Sequence, residues 1–189
     1  MSIDRSKWKG WKELPTPLEG NTGKWKKYQS LLFKTVSDLK PKLILETGFN
    51  AGHSACCFLN ASKTSKMYTF DICRWGTEEP AEAVLKNNGF DITLIKGSSD
   101  ETLPKFFEEN SDMMFDFVFI DGGHTNDVPY NDMKNVKDNI NVGGVLIIDD
   151  MTVDSVKSCF NRHDWTGFDI SKPNDIEKDV RILTKKEVV

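Results

Sequence analysis

The sequence predicts a doubly wound α/β fold: a mostly parallel sheet of about seven strands with helices on both faces. Three observations carry that prediction. Short apolar runs recur along the chain, and each is followed by a segment with helical spacing. These runs are nearly continuous rather than alternating, as expected of strands covered on both sides. At 189 residues the chain is long enough for one well-cored domain and too short for two ordinary ones.

In order, LILETG (43–48) reads as a buried strand and HSACCFLNA (53–61) as a helix. MYTFDI (67–72) is a strand, and PAEAVLKNN (80–88) is a helix stopped by Gly89. DITLIKG (91–97) and ETLPKFFEE (101–109) repeat the alternation, with Pro104 in or near the start of that helix. FDFVFID (115–121) precedes a helix over 130–140, whose apolar positions are Met133, Val136 and Ile140. GGVLIIDD (143–150) is the next strand, then a helix over about 153–161 and strands near 167–170 and 180–184. Before all of these, a helix from about Gly23 to Leu39 is expected to pack on the sheet. Right-handed crossovers join such units most simply into a parallel sheet.

Net charge is −4 and the isoelectric point is near 5.4, which argues against a general nucleic-acid partner. No apolar run reaches the length of a membrane span, and residues 1–10 lack a signal-peptide core. The four cysteines show no C-x-x-C spacing and are expected to be small buried hydrophobes in a reducing, cytoplasmic setting. Trp8, Trp11 and Trp25 are interleaved with lysines, and the earlier two, which precede the helix, are expected to give a lid or a homodimer contact. Trp75 and Arg74 read as loop and surface residues.

Ligands of such sheets bind at the carboxyl ends of the strands. Here those ends are 46–48, Asp71, 97–100, 121–124 and the pair Asp149-Asp150, nearly all acidic, glycine-bearing or hydroxylic. Acids crowded on one rim repel each other and lose hydration, so the rim calls for a cationic occupant. The turn ETGFNAGHS (46–54) lacks the glycine a dinucleotide fingerprint needs at position 50, where Asn50 stands. It also lacks the Lys-Ser/Thr of a P-loop, having His53-Ser54. Gly48 and Gly52 still permit a tight turn and close backbone approach to a ligand. Asp71, ending the second strand, is placed to hold ribose hydroxyls. Asp121, Asp149 and Asp150 are hard oxygen donors suited to Mg²⁺ or another divalent cation.

Glu46-x-Gly48-x-x-x-Gly52 in register with Asp71 resembles the class I S-adenosylmethionine-dependent methyltransferases. The resemblance covers roughly residues 43–151. It implies that Glu46, Gly48, Asn50, Gly52 and Ser54 line the methionine part of S-adenosylmethionine and that Asp71 takes the ribose. Ile72, Ser98 and Ser99 would then flank the adenine. It divides the chain into a cap over 1–41 and a cofactor-binding domain over 42–189.

Asp121, His124 three residues on, and Asp149-Asp150 resemble the metal-dependent small-molecule O-methyltransferases. The macrocin-type sugar enzymes are nearer than the catechol enzymes, which carry an aromatic wall where Gly123 stands. The resemblance implies a divalent cation at Asp121, Asp149 and Asp150, with Asp121 also beside the sulfonium and His124 as general base. Gly122 and Gly123 would keep the floor clear for the reactants. The expected acceptor is a small molecule with neighbouring hydroxyls, a sugar, polyol or catechol-like compound.

Overall fold

The computed structural model describes residues 3–17 and 22–187. Its single sheet has seven strands in the order β3-β2-β1-β4-β5-β7-β6. They are β1 (Leu43–Thr47), β2 (Lys66–Asp71), β3 (Asp91–Lys96), β4 (Phe115–Ile120), β5 (Ile140–Ile148), β6 (Phe168–Ser171) and β7 (Arg181–Lys185). Strands β1 to β5 pair in parallel, β7 runs antiparallel to β5, and β6 antiparallel to β7. The helices are α1 (Lys26–Leu39), α2 (His53–Ala61), α3 (Glu78–Asn87), α4 (Ser99–Glu109), α5 (Val128–Lys137) and α6 (Asp154–Arg162). Helices α1 to α3 cover one face of the sheet, where Leu32, Phe58 and Leu85 meet Ile44 and Phe117. The other face buries Leu103 of α4, Met133 of α5 and Val156 of α6 against Leu45, Val118 and Leu146. The chain winds outward in both directions from β1 and β4, so a crevice opens at the carboxyl ends of those two strands. Among the described residues no helix is long and apolar enough to cross a membrane.

Helix α1 follows from the i, i+4, i+8 burial of Tyr28, Leu32 and Val36. It ends at Lys40, in the left-handed conformation, just ahead of Pro41. No side chain at its own N-cap, Trp25, closes the first turn. The carboxylate of Glu177 does so from the β6–β7 connection, accepting the amides of Lys27 (3.2 Å) and Tyr28 (3.0 Å). That contact fixes the C-terminal connection against the start of the helix.

Two expectations are corrected. The helix expected over 130–140 stops at Lys137, and Ile140 instead opens β5, opposite Phe115. Ile140 continues the helical spacing of Met133 and Val136, so periodicity alone misplaces it. Trp8 is neither lid nor surface contact: it is buried, stacked on Phe33 with ring centroids 5.3 Å apart, and belongs to the core beside α1 and α2. Trp11 packs edge-on against both Trp8 and His53. The cysteines are all free, and Cys56, Cys57 and Cys159 are buried.

Candidate active site

The turn between β1 and α2 is set by glycine geometry. Gly48 has φ +88°, and a Cβ there would fall 2.0 Å from the carbonyl oxygen of Asp121. Only glycine lets the ends of β1 and β4 approach this closely. Gly52, also left-handed, caps α2 against Ala81 and the Phe49 ring. Asp71 holds the turn from the side: one oxygen accepts the amides of Phe49 (2.8 Å) and Asn50 (2.9 Å), the other that of Cys73 (2.7 Å). A carboxylate offers about four lone-pair directions, so one stays available for a ribose hydroxyl. Asn50 sits in the left-handed region at φ 49°.

Glu46 lies beneath this turn rather than on its open side. It is fully buried, with Ser54 Oγ and Thr69 Oγ1 (2.8 Å) donating to its two oxygens. Burial, partly offset by those hydroxyls, pushes its carboxyl up to about 8. Ser54 is therefore turned inward as well. On the rim, Ile72 leaves an exposed apolar surface at the end of β2. Ser98 stands at the N-cap position of α4 without closing its first turn, its hydroxyl donating to Asp100 instead, while Ser99 is buried.

Beneath Gly122 lies a carboxylate that sequence reasoning missed. Asp132 of α5 is fully buried, and neither oxygen has a well-aligned partner among the described residues. Burial raises it to about 7, with the nearby hydroxyls of Ser99 and Thr47 pulling the other way. A Cβ on Gly122 would lie 3.1 Å from both Asp132 Oδ2 and Thr47 Oγ1, and one on Gly123 3.1 Å from Val128. A side chain at either glycine would therefore press on the packed side of the loop.

At the ends of β4 and β5, Asp121, His124 and Asp150 each bring a donor atom within 4.8 Å of the others. His124 Nε2 lies 3.1 Å from Asp150 Oδ2, and Ser155 Oγ ties the His124 carbonyl to α6 at 2.5 Å. The Asp150 hydrogen bond raises His124 above the usual imidazole range, against the opposing effect of burial. Burial would raise Asp150, but hydrogen bonds from His124 and Lys178 outweigh it and hold the carboxyl at about 2. Asp121 is pushed well up by burial and by the charges of Asp149 and Asp150.

Asp149, expected beside Asp121 as a ligand, is turned inward and is 3% exposed. Tyr28 donates its hydroxyl to Asp149 Oδ2 at 2.9 Å, and the amide of Asp150 donates to Oδ1 at 2.6 Å. Lys178 Nζ lies 3.2 Å from Asp149 Oδ1 and bonds Asp150 Oδ1. The converging donor set is thus Asp121, His124 and Asp150, with Asp149 one layer behind.

A methyltransferase-domain family model matches residues 45–151, more than half of the chain. The chain belongs to that family. Its fold is that of the class I methyltransferases, as solved structures of similar shape bear out. An O-methyltransferase from Bacillus cereus in complex with SAH is 14% identical, with TM-score 0.70, over 92% of this chain and 86% of that one. The O-methyltransferase TomG from Streptomyces achromogenes, in complex with SAM, is 18% identical, with TM-score 0.67, over 95% and 87%. An SAH-bound methyltransferase from Podospora anserina is 18% identical, with TM-score 0.68, over 86% and 79%. A sequence search of curated proteins found no match.

In this methyltransferase the sequence motifs located Asp121, His124 and Asp150 but not Tyr28, Asp132, Glu177 or Lys178. Lys178 lies in the polar stretch between β6 and β7, where nothing local distinguishes it from a surface lysine.

Proposed function

We propose that this methyltransferase moves a methyl group from S-adenosylmethionine to a hydroxyl of a small molecule, with a divalent cation at Asp121 and Asp150 and His124 as general base. The convergence of Asp121, His124 and Asp150 at the mouth of the β1–β4 crevice carries the reading. Both carboxylates offer hard oxygen atoms of the kind that Mg²⁺ or Mn²⁺ accepts, and the imidazole stands beside them as the base. The crevice suits the methyl donor: the backbone turn at Gly48 for the methionine part, the open lone pair of Asp71 for ribose, and the exposed Ile72 for adenine.

A bound divalent cation would lower the pKa of an acceptor hydroxyl into the range a histidine can reach. His124 is oriented for the proton: Nε2–H toward Asp150 leaves the Nδ1 lone pair as the acceptor. As the acceptor oxygen bonds to the methyl carbon, its proton passes to His124, and the C–S bond electrons return to sulfur as a neutral thioether. Two neighbouring hydroxyls would fix the acceptor in place, which favours a vicinal diol or catechol-like compound.

One observation favours a second reading, a metal-independent methyltransferase: Lys178 already places a cation between Asp149 and Asp150. Methylation of a panel of sugars, polyols and catechols, with product S-adenosylhomocysteine read by mass spectrometry, tests both. Turnover lost with EDTA and restored by Mg²⁺ supports the first reading. Turnover indifferent to EDTA and to Asp150→Ala supports neither the cation nor Asp150 in the chemistry.

A further inference from the structure

All four oxygens of the Asp149-Asp150 pair have partners within the protein. Asp149 Oδ2 accepts from Tyr28, Asp149 Oδ1 accepts from the Asp150 amide and faces Lys178, Asp150 Oδ1 pairs with Lys178, and Asp150 Oδ2 with His124. A divalent ion on Asp150, even one entering through Oδ2 on the His124 side, would share a single carboxylate with the Lys178 ammonium, and two cations that close repel each other.

The ammonium is not there by the chance sweep of a surface lysine. Its neighbours in sequence are anchored on both sides: Glu177 caps α1 through the amides of Lys27 and Tyr28, and the Asp179 carbonyl accepts the Met151 amide at 3.0 Å. The Asp179 carboxylate is itself gripped by Lys172 (2.8 Å) and Arg181 (2.6 Å). The backbone of Lys178 is thus fixed beside the acids, and only its flexible four-carbon stem is free to withdraw the charge.

We propose that Lys178 is a tethered counter-cation that competes with the divalent ion for Asp150, so that this carboxylate holds the protein's own ammonium or the metal, not both. The proposal rests on the reading that the site takes a divalent ion. It gives the acid pair a partner when no metal is bound and weakens the metal's hold on the resting enzyme.

Mn²⁺ titrations of the full chain, followed by the electron paramagnetic resonance of free Mn²⁺, test it without any turnover. Lys178→Met is expected to bind Mn²⁺ at least about tenfold more tightly than wild type, while Lys178→Arg, which keeps the charge, stays near wild type. Adding Asp150→Asn to Lys178→Met is expected to abolish that gain. Equal affinity in wild type and Lys178→Met overturns the competition while leaving the metal reading intact. Absence of saturable binding in every form overturns both. A measurement on the wild type covers a variant that fails to fold: reductive methylation of Lys178, read by peptide mass spectrometry, is expected to rise several-fold when Mn²⁺ is present. An unchanged extent overturns the proposal.

Discussion

The Tyr28 hydroxyl donates to Asp149 Oδ2 at 2.9 Å, joining the first turn of α1 to the end of β5 across a fully buried contact. Replacing Tyr28 with Phe keeps the ring in the core and leaves a buried carboxylate oxygen without its donor. The expected cost is about 1–3 kcal/mol in denaturant unfolding, with the fold retained by circular dichroism. A loss near zero would mean that water reaches Asp149 and replaces the phenol.

Gly48→Ala places a methyl group where the Asp121 carbonyl stands, at a φ of +88° that L residues rarely adopt. The ends of β1 and β4 must separate to admit it. We expect destabilisation of at least about 2 kcal/mol and loss of S-adenosylhomocysteine binding by calorimetry. Retention of wild-type affinity would show that the crevice tolerates a wider gap than its geometry implies.

The stability contributed by Glu46 and Asp132 is expected to fall as pH rises from about 4 to about 8. Folding raises Glu46 to about 8 and Asp132 to about 7. A carboxyl raised on folding binds its proton more tightly in the native state. Its contribution is therefore complete below the unfolded pKa and is lost as pH climbs through the folded one. Asp132→Asn, which stays neutral, should flatten the part of that slope between about pH 4 and 7, worth up to about 4 kcal/mol for a shift of this size. Urea unfolding of both proteins across that range gives the comparison, and parallel slopes would refute a neutral Asp132.

His124 is expected to titrate above 6.5 in the folded protein, because Asp150 accepts a hydrogen bond from its protonated ring. Asp150→Asn removes that charge, so the midpoint should move down, as read from the imidazole resonances by NMR. Methyl transfer, which needs the neutral ring, should rise with pH through the wild-type midpoint. An unshifted midpoint in the variant would separate His124 from Asp150.

The sheet was legible because every parallel strand carries a short, mostly apolar run that leads into glycine or an acid. The helix α2 emerges with its expected limits, 53–61, since a glycine turn opens it and Ser62 ends it. The start of β5 was not legible, because Ile140 satisfies a helical and an extended pattern equally. At the site, residues at strand ends were readable from the rule that ligands gather there. Their orientation was not: the chain leaves β5 after Ile148 and turns at Asp150, left-handed at φ 55°, and which acid faces inward depends on distant partners. For Asp149 those partners are Tyr28 and Lys178, far away in sequence. Asp132 escaped notice because an acid on an amphipathic helix reads as solvent-facing until the loop above it is in place.

The segment shared with the family, 45–151, ends at the acid pair, while Tyr28 and Lys178 come from the flanks on either side of it. Grafting the flanks of a relative onto this central segment would therefore exchange the phenol and the ammonium that hold the acid pair, together with the tryptophans that pack on α2.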